Sequence, residues 1–461
     1  MRHPLVSSLF LLLSGCIAVE PLESGADVRP LELATFHVDV TPPLGSPLCH
    51  GAIEPAKEIV DPLSARGVIL TGQGAPIVLC SVDWVGIGNA GNHAWKEALA
   101  RAANTHPERV AVHTVHQHDA PGCDFAAEEL LAAHGLGGKM IPADFCRDAI
   151  ERVAKAVARA THNRRKITHL GIGRARVHEV ASNRRVLGTN GKVQYVRYSK
   201  CRIPEAIAAP EGLIDPWVQV LSFWNGDEAV AALSYYATHP QSHYGKGGVS
   251  ADFVGMARSI AEKQHPGLAW IHFNGAGGNV AAGKYNDGSP ARRPILANRL
   301  AKGMRKAWNA TLKTSIGVGD ISWRAVPCKL PPRAHLKEST LLPALGNTKL
   351  TMRDRIRAAR DLTWLRHASR PIDLTCLRVG PAWILHMPGE LFVEYQLAAQ
   401  QMKPDAFVAM AAYGDYGPGY IGTKISYGQG GYETGAPSRT APEVEDVLMS
   451  ALHDLLDVER P

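Results

Sequence analysis

Apolar and polar positions fall in blocks along this chain, and the period of each block separates strands from helices. Short apolar runs predict strands at Phe36–Val40, Gly67–Leu70, Ile77–Val82 and Val110–Thr114. Helical spacing predicts helices from about Asn92 to Ala103 and from about Ala143 to Ala160. Strands at Leu170–Val177, Val193–Tyr198, Val218–Trp224 and Ala229–Ala237 precede a strand–helix unit, Leu268–Phe273 followed by Pro294–Ala310. Strands at Ile316–Trp323 and Leu374–Arg378 come next, and strand Ala382–His386, helix Phe392–Gln401 and strand Ala406–Ala412 close the series. This alternation predicts an α/β fold, a mixed sheet covered by helices, as one large domain over residues 34–461.

Composition adds little to that picture and excludes some functions. The chain has 461 residues, 45% apolar and 20% charged, which is the make-up of a folded globular protein and excludes a disordered one. A formal charge of +7 is modest at this length. Its densest basic stretch, Arg353 to Arg366, carries Met352, Ile356, Ala359 and Leu362 at helical spacing, so it reads as the solvated face of an amphipathic helix and not as a nucleic-acid surface. The N-terminus changes more. Arg2 and His3, the apolar run Leu5 to Leu13 and then Leu13-Ser14-Gly15-Cys16 have the layout of an export signal over residues 1–15. Small residues before a cysteine predict lipidation of Cys16, with residues 16–33 as a tether and this anchor as the sole membrane attachment; cleavage a few residues later, giving a soluble exported protein, is the competing expectation. The remaining cysteines form no CxxC spacing and no disulfide framework, although one or two bridges are compatible with them.

The candidate chemistry starts at His116-Gln117-His118, directly after the apolar run Val110 to Val115. Positions two apart on a strand share a face, so the two imidazoles converge at the sheet's edge, where Asp119-Ala120-Pro121-Gly122 turns the chain. Taken alone, such a pair serves a metal site and a hydrogen-bonded structural pair equally well. Four other segments bear on it. Thr238-His239-Pro240 ends a strand, and Ile384 to Phe392 turns through Pro388-Gly389 and leaves Glu390 near a helix start, where the helix dipole favours a carboxylate. Phe273 to Gly283 is a glycine-rich turn that matches neither nucleotide fingerprint, and Tyr413 to Thr423 is a Gly/Tyr-rich loop of the kind that lines clefts. Two histidines from separate strands and one glutamate form the donor set of a catalytic zinc site with an open position, suited to hydrolysis of amides or esters by metal-activated water.

The order of these blocks resembles the N-terminal catalytic domain of the neutral/alkaline ceramidase family. The resemblance runs from Val38-Asp39-Val40-Thr41-Pro42-Pro43-Leu44-Gly45 through His116 to Gly122, Asn183-Arg184-Arg185, Thr238-His239-Pro240 with Ser250-Ala251-Asp252, Gly278-Asn279-Val280, Pro388-Gly389-Glu390 and Tyr416 to Thr423. It covers about residues 34 to 445. It implies one zinc ion held by His116, His239, Glu390 and Tyr420, with His118, Arg184 and Tyr420 acting on the scissile carbonyl or its protons, and an N-acyl amide, small-molecule or lipid, as substrate. Two departures stand out. The family's active-site serine falls at Ala281 and the aspartate before it at Asn279, and the family's C-terminal β-sandwich is not expected in this chain. Loss of that hydroxyl motivates an alternative, a non-catalytic cell-envelope binding protein on the same scaffold.

Overall fold

The structure is a computed structural model that describes residue 1 and residues 30–460. The expected export signal and the expected lipidation site, Cys16, lie outside the described residues. Among those described, no helix is long and apolar enough to cross a membrane, and the seven cysteines are all free thiols, so neither of the possible bridges is formed.

The predicted α/β architecture is present, with its strands divided among three main sheets. The first runs Val110–Thr114, Ile77–Val82, Ser64–Thr71, Glu32–Asp39, Arg165–Lys166. The second runs Ala269–Asn274, Glu228–Tyr236, Trp217–Asn225, His169–Arg176, Leu312–Ser315. The third runs Ile321–Cys328, Ile372–Val379, Ala382–His386, Phe407–Ala411. Each sheet is antiparallel except for one parallel pair at an edge: Ile77–Val82 with Val110–Thr114, Glu228–Tyr236 with Ala269–Asn274, and Ala382–His386 with Phe407–Ala411. Parallel strands are buried on both faces, which is why Ile77–Val82 is apolar at every position but Ser81 and is buried throughout.

Leu79, Leu233, Phe273, Ile384 and Ala409 belong to one shared core, so the three sheets pack against one another at these parallel edges. Backbone hydrogen bonds join the strand ends there, from Thr114 N to Tyr413 O at 3.0 Å and from Ala412 N to Asn274 O at 2.9 Å. The carboxyl ends of parallel strands from three sheets therefore meet at one place. Open α/β sheets bind ligands at such ends. Helices cover the outer faces. Ala143–Ala160 buries Cys146, Ala149, Ile150, Val153, Ala156, Val157 and Ala160, the stripe that a 3.6-residue period produces.

Three expectations need correction. The predicted strand Ile316–Trp323 is split into the edge strand Leu312–Ser315, a short 3-10 turn at Val318–Asp320 and the strand Ile321–Cys328, because Gly317 and Gly319 break the run. Helices at Asp252–Gln264 and Val444–Leu456 were not expected. In helix Met352–His367 the expected inner face holds at Ile356, Ala359 and Leu362, while Met352 is exposed and the arginines of the solvated outer face, Arg353, Arg357 and Arg360, also line a cavity.

Candidate metal centre

His116 stands two residues beyond strand Val110–Thr114 with φ at +74°, a left-handed conformation that side chains other than glycine rarely adopt. That kink breaks the strand alternation and separates the two histidines expected to share a face. The His116 ring turns inward, stacks on Tyr413 at 4.6 Å and places Nδ1 2.5 Å from the Val85 carbonyl oxygen. His118 stays close, with ring centroids 5.1 Å apart and the planes nearly perpendicular. Its Nε2 meets the Gln241 side-chain amide, its ring packs edge-on against Tyr244, and it joins the wall of a cavity of about 510 Å³.

His239 follows strand Glu228–Tyr236, and its Nδ1 faces the carbonyls of Gly277 and Val280 at 2.5 and 3.2 Å. The glycine-rich turn is thus a support for this ring. A Cβ on Gly278 would lie 2.2 Å from the Glu390 carbonyl oxygen, so the turn needs glycine in order to press against the next segment. Glu390 precedes helix Val393–Met402 but does not cap it. It pairs with Tyr420 in a two-residue parallel ladder, which sets both side chains side by side.

The four residues whose coordination role the resemblance implied are brought together. Glu390 Oε2 lies 2.9 Å from His239 Nε2 and 3.3 Å from His116 Nε2, and Tyr420 Oη lies 3.1 Å from His239 Nε2. Arg184 Nη1 donates to Tyr420 Oη at 2.9 Å, and its Nε sits 3.1 Å from Glu433 Oε1. Tyr416 donates its hydroxyl to Glu390 Oε1 at 2.7 Å. All of these groups are buried except Tyr416, which is partly so.

The protonation pattern singles out this cluster. Burial, with smaller contributions from Arg184 and His116, lowers His239 to about 4 despite the attraction of Glu390, so its ring is neutral near pH 7 and carries one N–H. The backbone carbonyls claim that hydrogen at Nδ1. Nε2 is left as a lone pair facing a carboxylate. His116 has the same geometry, with Nδ1 at the Val85 carbonyl and Nε2 buried with no hydrogen-bond partner. Glu390 is buried between the two rings, with Oε2 facing both Nε2 atoms at 3.3 and 2.9 Å. Three electron-pair donors, all within 4.8 Å of one another, thus converge on one point, which is repulsive unless a cation lies between them. Ring N–H groups held by backbone carbonyls are also the usual outer support of metal-bound histidines. The donor separations of 2.9 to 3.3 Å suit a small divalent ion bound at about 2.0–2.2 Å. The residues fit a metal ion.

Sequence reading missed Glu433, Gln241 and Tyr416 as partners of the cluster. Tyr416 lay in the Gly/Tyr-rich loop and Gln241 two residues beyond His239, but nothing in a segment shows which long-range partner its side chain meets. At the family's serine position, Ala281 pairs with Ser182, whose hydroxyl donates to the Ala281 carbonyl. Asn279 accepts from Val393 N at 2.9 Å and donates to Glu394 at 2.8 Å, so it fastens the turn to helix Val393–Met402.

No family model and no curated protein matches the sequence. Solved structures do match. A ceramidase described as complexed with C2 superposes with a TM-score of 0.67 at 15% identity, covering 93% of this chain and 75% of that one. The chain has a ceramidase-like fold. The neutral ceramidase of Pseudomonas aeruginosa agrees, with a TM-score of 0.66 at 16% identity over 93% of this chain and 74% of that one. At such identity the likeness to these ceramidases concerns the fold, and the chemistry rests on this chain's own residues.

Proposed function

We propose that the protein is a zinc-dependent hydrolase that cleaves an N-acyl amide into a carboxylic acid and an amine. The observation that carries this reading is the buried, unpartnered Nε2 of His116 facing the His239 and Glu390 donors. In the proposal His116, His239, Glu390 and Tyr420 hold the zinc. When bound, zinc would supply a Lewis acid and acidify a water molecule that it binds.

The chain's own residues do the rest. Arg184 is fixed by Glu433 and by the faces of Tyr420 and Tyr432, 5.6 and 5.5 Å away, so its guanidinium is already aimed where negative charge develops on the carbonyl oxygen. His118 is held neutral chiefly by burial and, less, by the neighbouring His116 and His239. With the Gln241 amide N–H donating to His118 Nε2, the neutral ring carries its hydrogen on Nδ1, from which it passes to the departing nitrogen and is replaced by the proton released on attack. No serine hydroxyl takes part, because Ala281 stands at that place. Export and lipidation at Cys16 would set this chemistry in the cell envelope.

Metal analysis of the purified protein tests the reading. About one zinc per chain is expected, lost in His116→Ala and His239→Ala, together with chelator-sensitive release of fatty acid from a panel of N-acyl amides. Ala281 favours a second reading, a binding protein without turnover. That reading requires an inert wild type that gains activity in Ala281→Ser.

A further inference from the structure

The cavity beside the metal centre has a cationic wall. Arg353, Arg357 and Arg360 are spaced four and three residues apart on helix Met352–His367, which places them on one stripe, and all three line the cavity with Arg439. The single carboxylate in that lining is Glu390, already committed to two imidazoles and Tyr416. Arg439 is neutralised by Asp361 at 2.7 Å. Arg357 has a weak, half-exposed pair with Asp354 at 3.6 Å. Arg353 and Arg360 have no ion-pair partner among the described residues.

Arg360 is the informative one. It is half-buried, lies 5.1 Å over the Tyr416 ring, and the hydroxyl of that same ring touches Glu390. One aromatic ring therefore separates an unpaired guanidinium from the metal-ligand cluster. A desolvated cation in a concave, low-dielectric wall concentrates anions there, and arginine binds carboxylate or phosphate through paired N–H donors. A neutral lipid head group would leave these guanidinium groups without a counter-charge.

We propose that the Arg353–Arg357–Arg360 stripe is a subsite for an anionic group, so that the substrate is an acidic N-acyl amide whose carboxylate, phosphate or sulfonate lies a few bonds from the scissile amide. This rests on the amide-hydrolase reading above and deepens it. The stripe reads the anion and the cluster at its inner end cleaves the amide.

The test compares N-dodecanoylglycine with its carboxamide, N-dodecanoylglycinamide, which has nearly the same shape and no charge. N-dodecanoyltaurine and N-dodecanoylaminoethyl phosphate form the tetrahedral arms and decide which anion is preferred. Wild-type protein is expected to favour the acid over the carboxamide by roughly tenfold to a hundredfold in kcat/KM, mainly through KM. The preference should shrink as salt rises. In the triple variant Arg353→Gln, Arg357→Gln, Arg360→Gln the acid-to-carboxamide ratio should fall to near one. The exposed single variant Arg353→Gln, expected to lower that ratio severalfold, keeps the test open if the triple variant does not fold. Equal kcat/KM for the two compounds in wild type overturns the proposal. So does an acid preference that survives the triple variant, since the carboxylate would then be held by the metal. If no compound is hydrolysed, the hydrolase reading fails, and titration calorimetry with the same pair decides the subsite separately: acid-selective binding lost in the triple variant supports it, and equal binding of both compounds overturns it.

Discussion

Two buried polar clusters in this protein invite comparison. Around Asp83, Arg258 donates Nη1 and Nη2 to the two carboxylate oxygens at 2.7 Å each, and Ser64 adds its backbone N–H at 2.8 Å and its hydroxyl at 2.6 Å. Donors meet acceptors, and charge is balanced within the protein. Around Glu390 the pattern is reversed, because two imidazole lone pairs and a carboxylate face one another and one ring nitrogen has no partner. Both clusters tie together separate parts of the fold. The first balances its charge internally and leaves only a donor, Arg258 Nε, without a partner, whereas the second leaves an acceptor lone pair facing two other acceptors, an arrangement that a cation would complete. Burial by itself therefore does not mark a functional site; a deficit of hydrogens does.

The largest effect that separates the clusters is on metal content. Glu390→Gln or His239→Ala should reduce bound zinc from near one per chain to background and abolish turnover. Unfolding of the zinc-free variants by urea should differ from the zinc-free parent by no more than about 1 kcal/mol, since a repulsive contact has been removed. Equal destabilisation at both clusters would erase the distinction. Next in size is Arg258→Ala, which strands a buried carboxylate and should cost about 3–5 kcal/mol in urea unfolding while any surviving folded protein still binds zinc. Smaller again is Tyr416→Phe, which removes the hydroxyl on Glu390 Oε1 and should weaken zinc binding roughly tenfold to a hundredfold in a chelator competition.

The smallest effect is on acid stability. Burial would raise Asp83, but Arg258 more than reverses this and leaves its pKa below the ordinary value of 3.8. The stability gained from that depression is present above pH 3.8 and is lost as pH falls through the folded-state pKa. Asp83→Asn should therefore flatten the acid limb of the stability curve below about pH 4, read by thermal unfolding across pH. An unchanged limb would show that Asp83 is not held ionised by its pair.

Much of this was legible in sequence. Strand runs such as Ile77–Val82 and the helix Ala143–Ala160 follow from apolar period, and the ordered blocks carrying His116, His239, Glu390 and Tyr420 mark residues that the fold does assemble. Other features were hidden for physical reasons. The left-handed turn at His116 breaks the alternation that would have paired it with His118, and no residue pattern announces it. The Arg353 to Arg360 stripe reads in sequence only as a solvated helix face, and nothing there shows that Arg360 lies over the Tyr416 ring beside the metal-ligand cluster. Helix Val444–Leu456 went unread although Val444, Leu448, Leu452 and Leu455 carry helical spacing, whereas the alanine-weighted inner face of Asp252–Gln264 gives little contrast. The three-sheet arrangement depends on contacts between distant strands, which local periodicity does not encode.

Zinc stoichiometry, measured together with structure around the ion, bears most directly on the central claim. Zinc titrated into metal-free protein should bind at one ion per chain, with X-ray absorption showing two imidazoles and oxygen donors, and His116→Ala should lose the site. Saturating zinc that fails to bind, or that binds equally well to His116→Ala, would contradict a metal centre built on His116, His239 and Glu390.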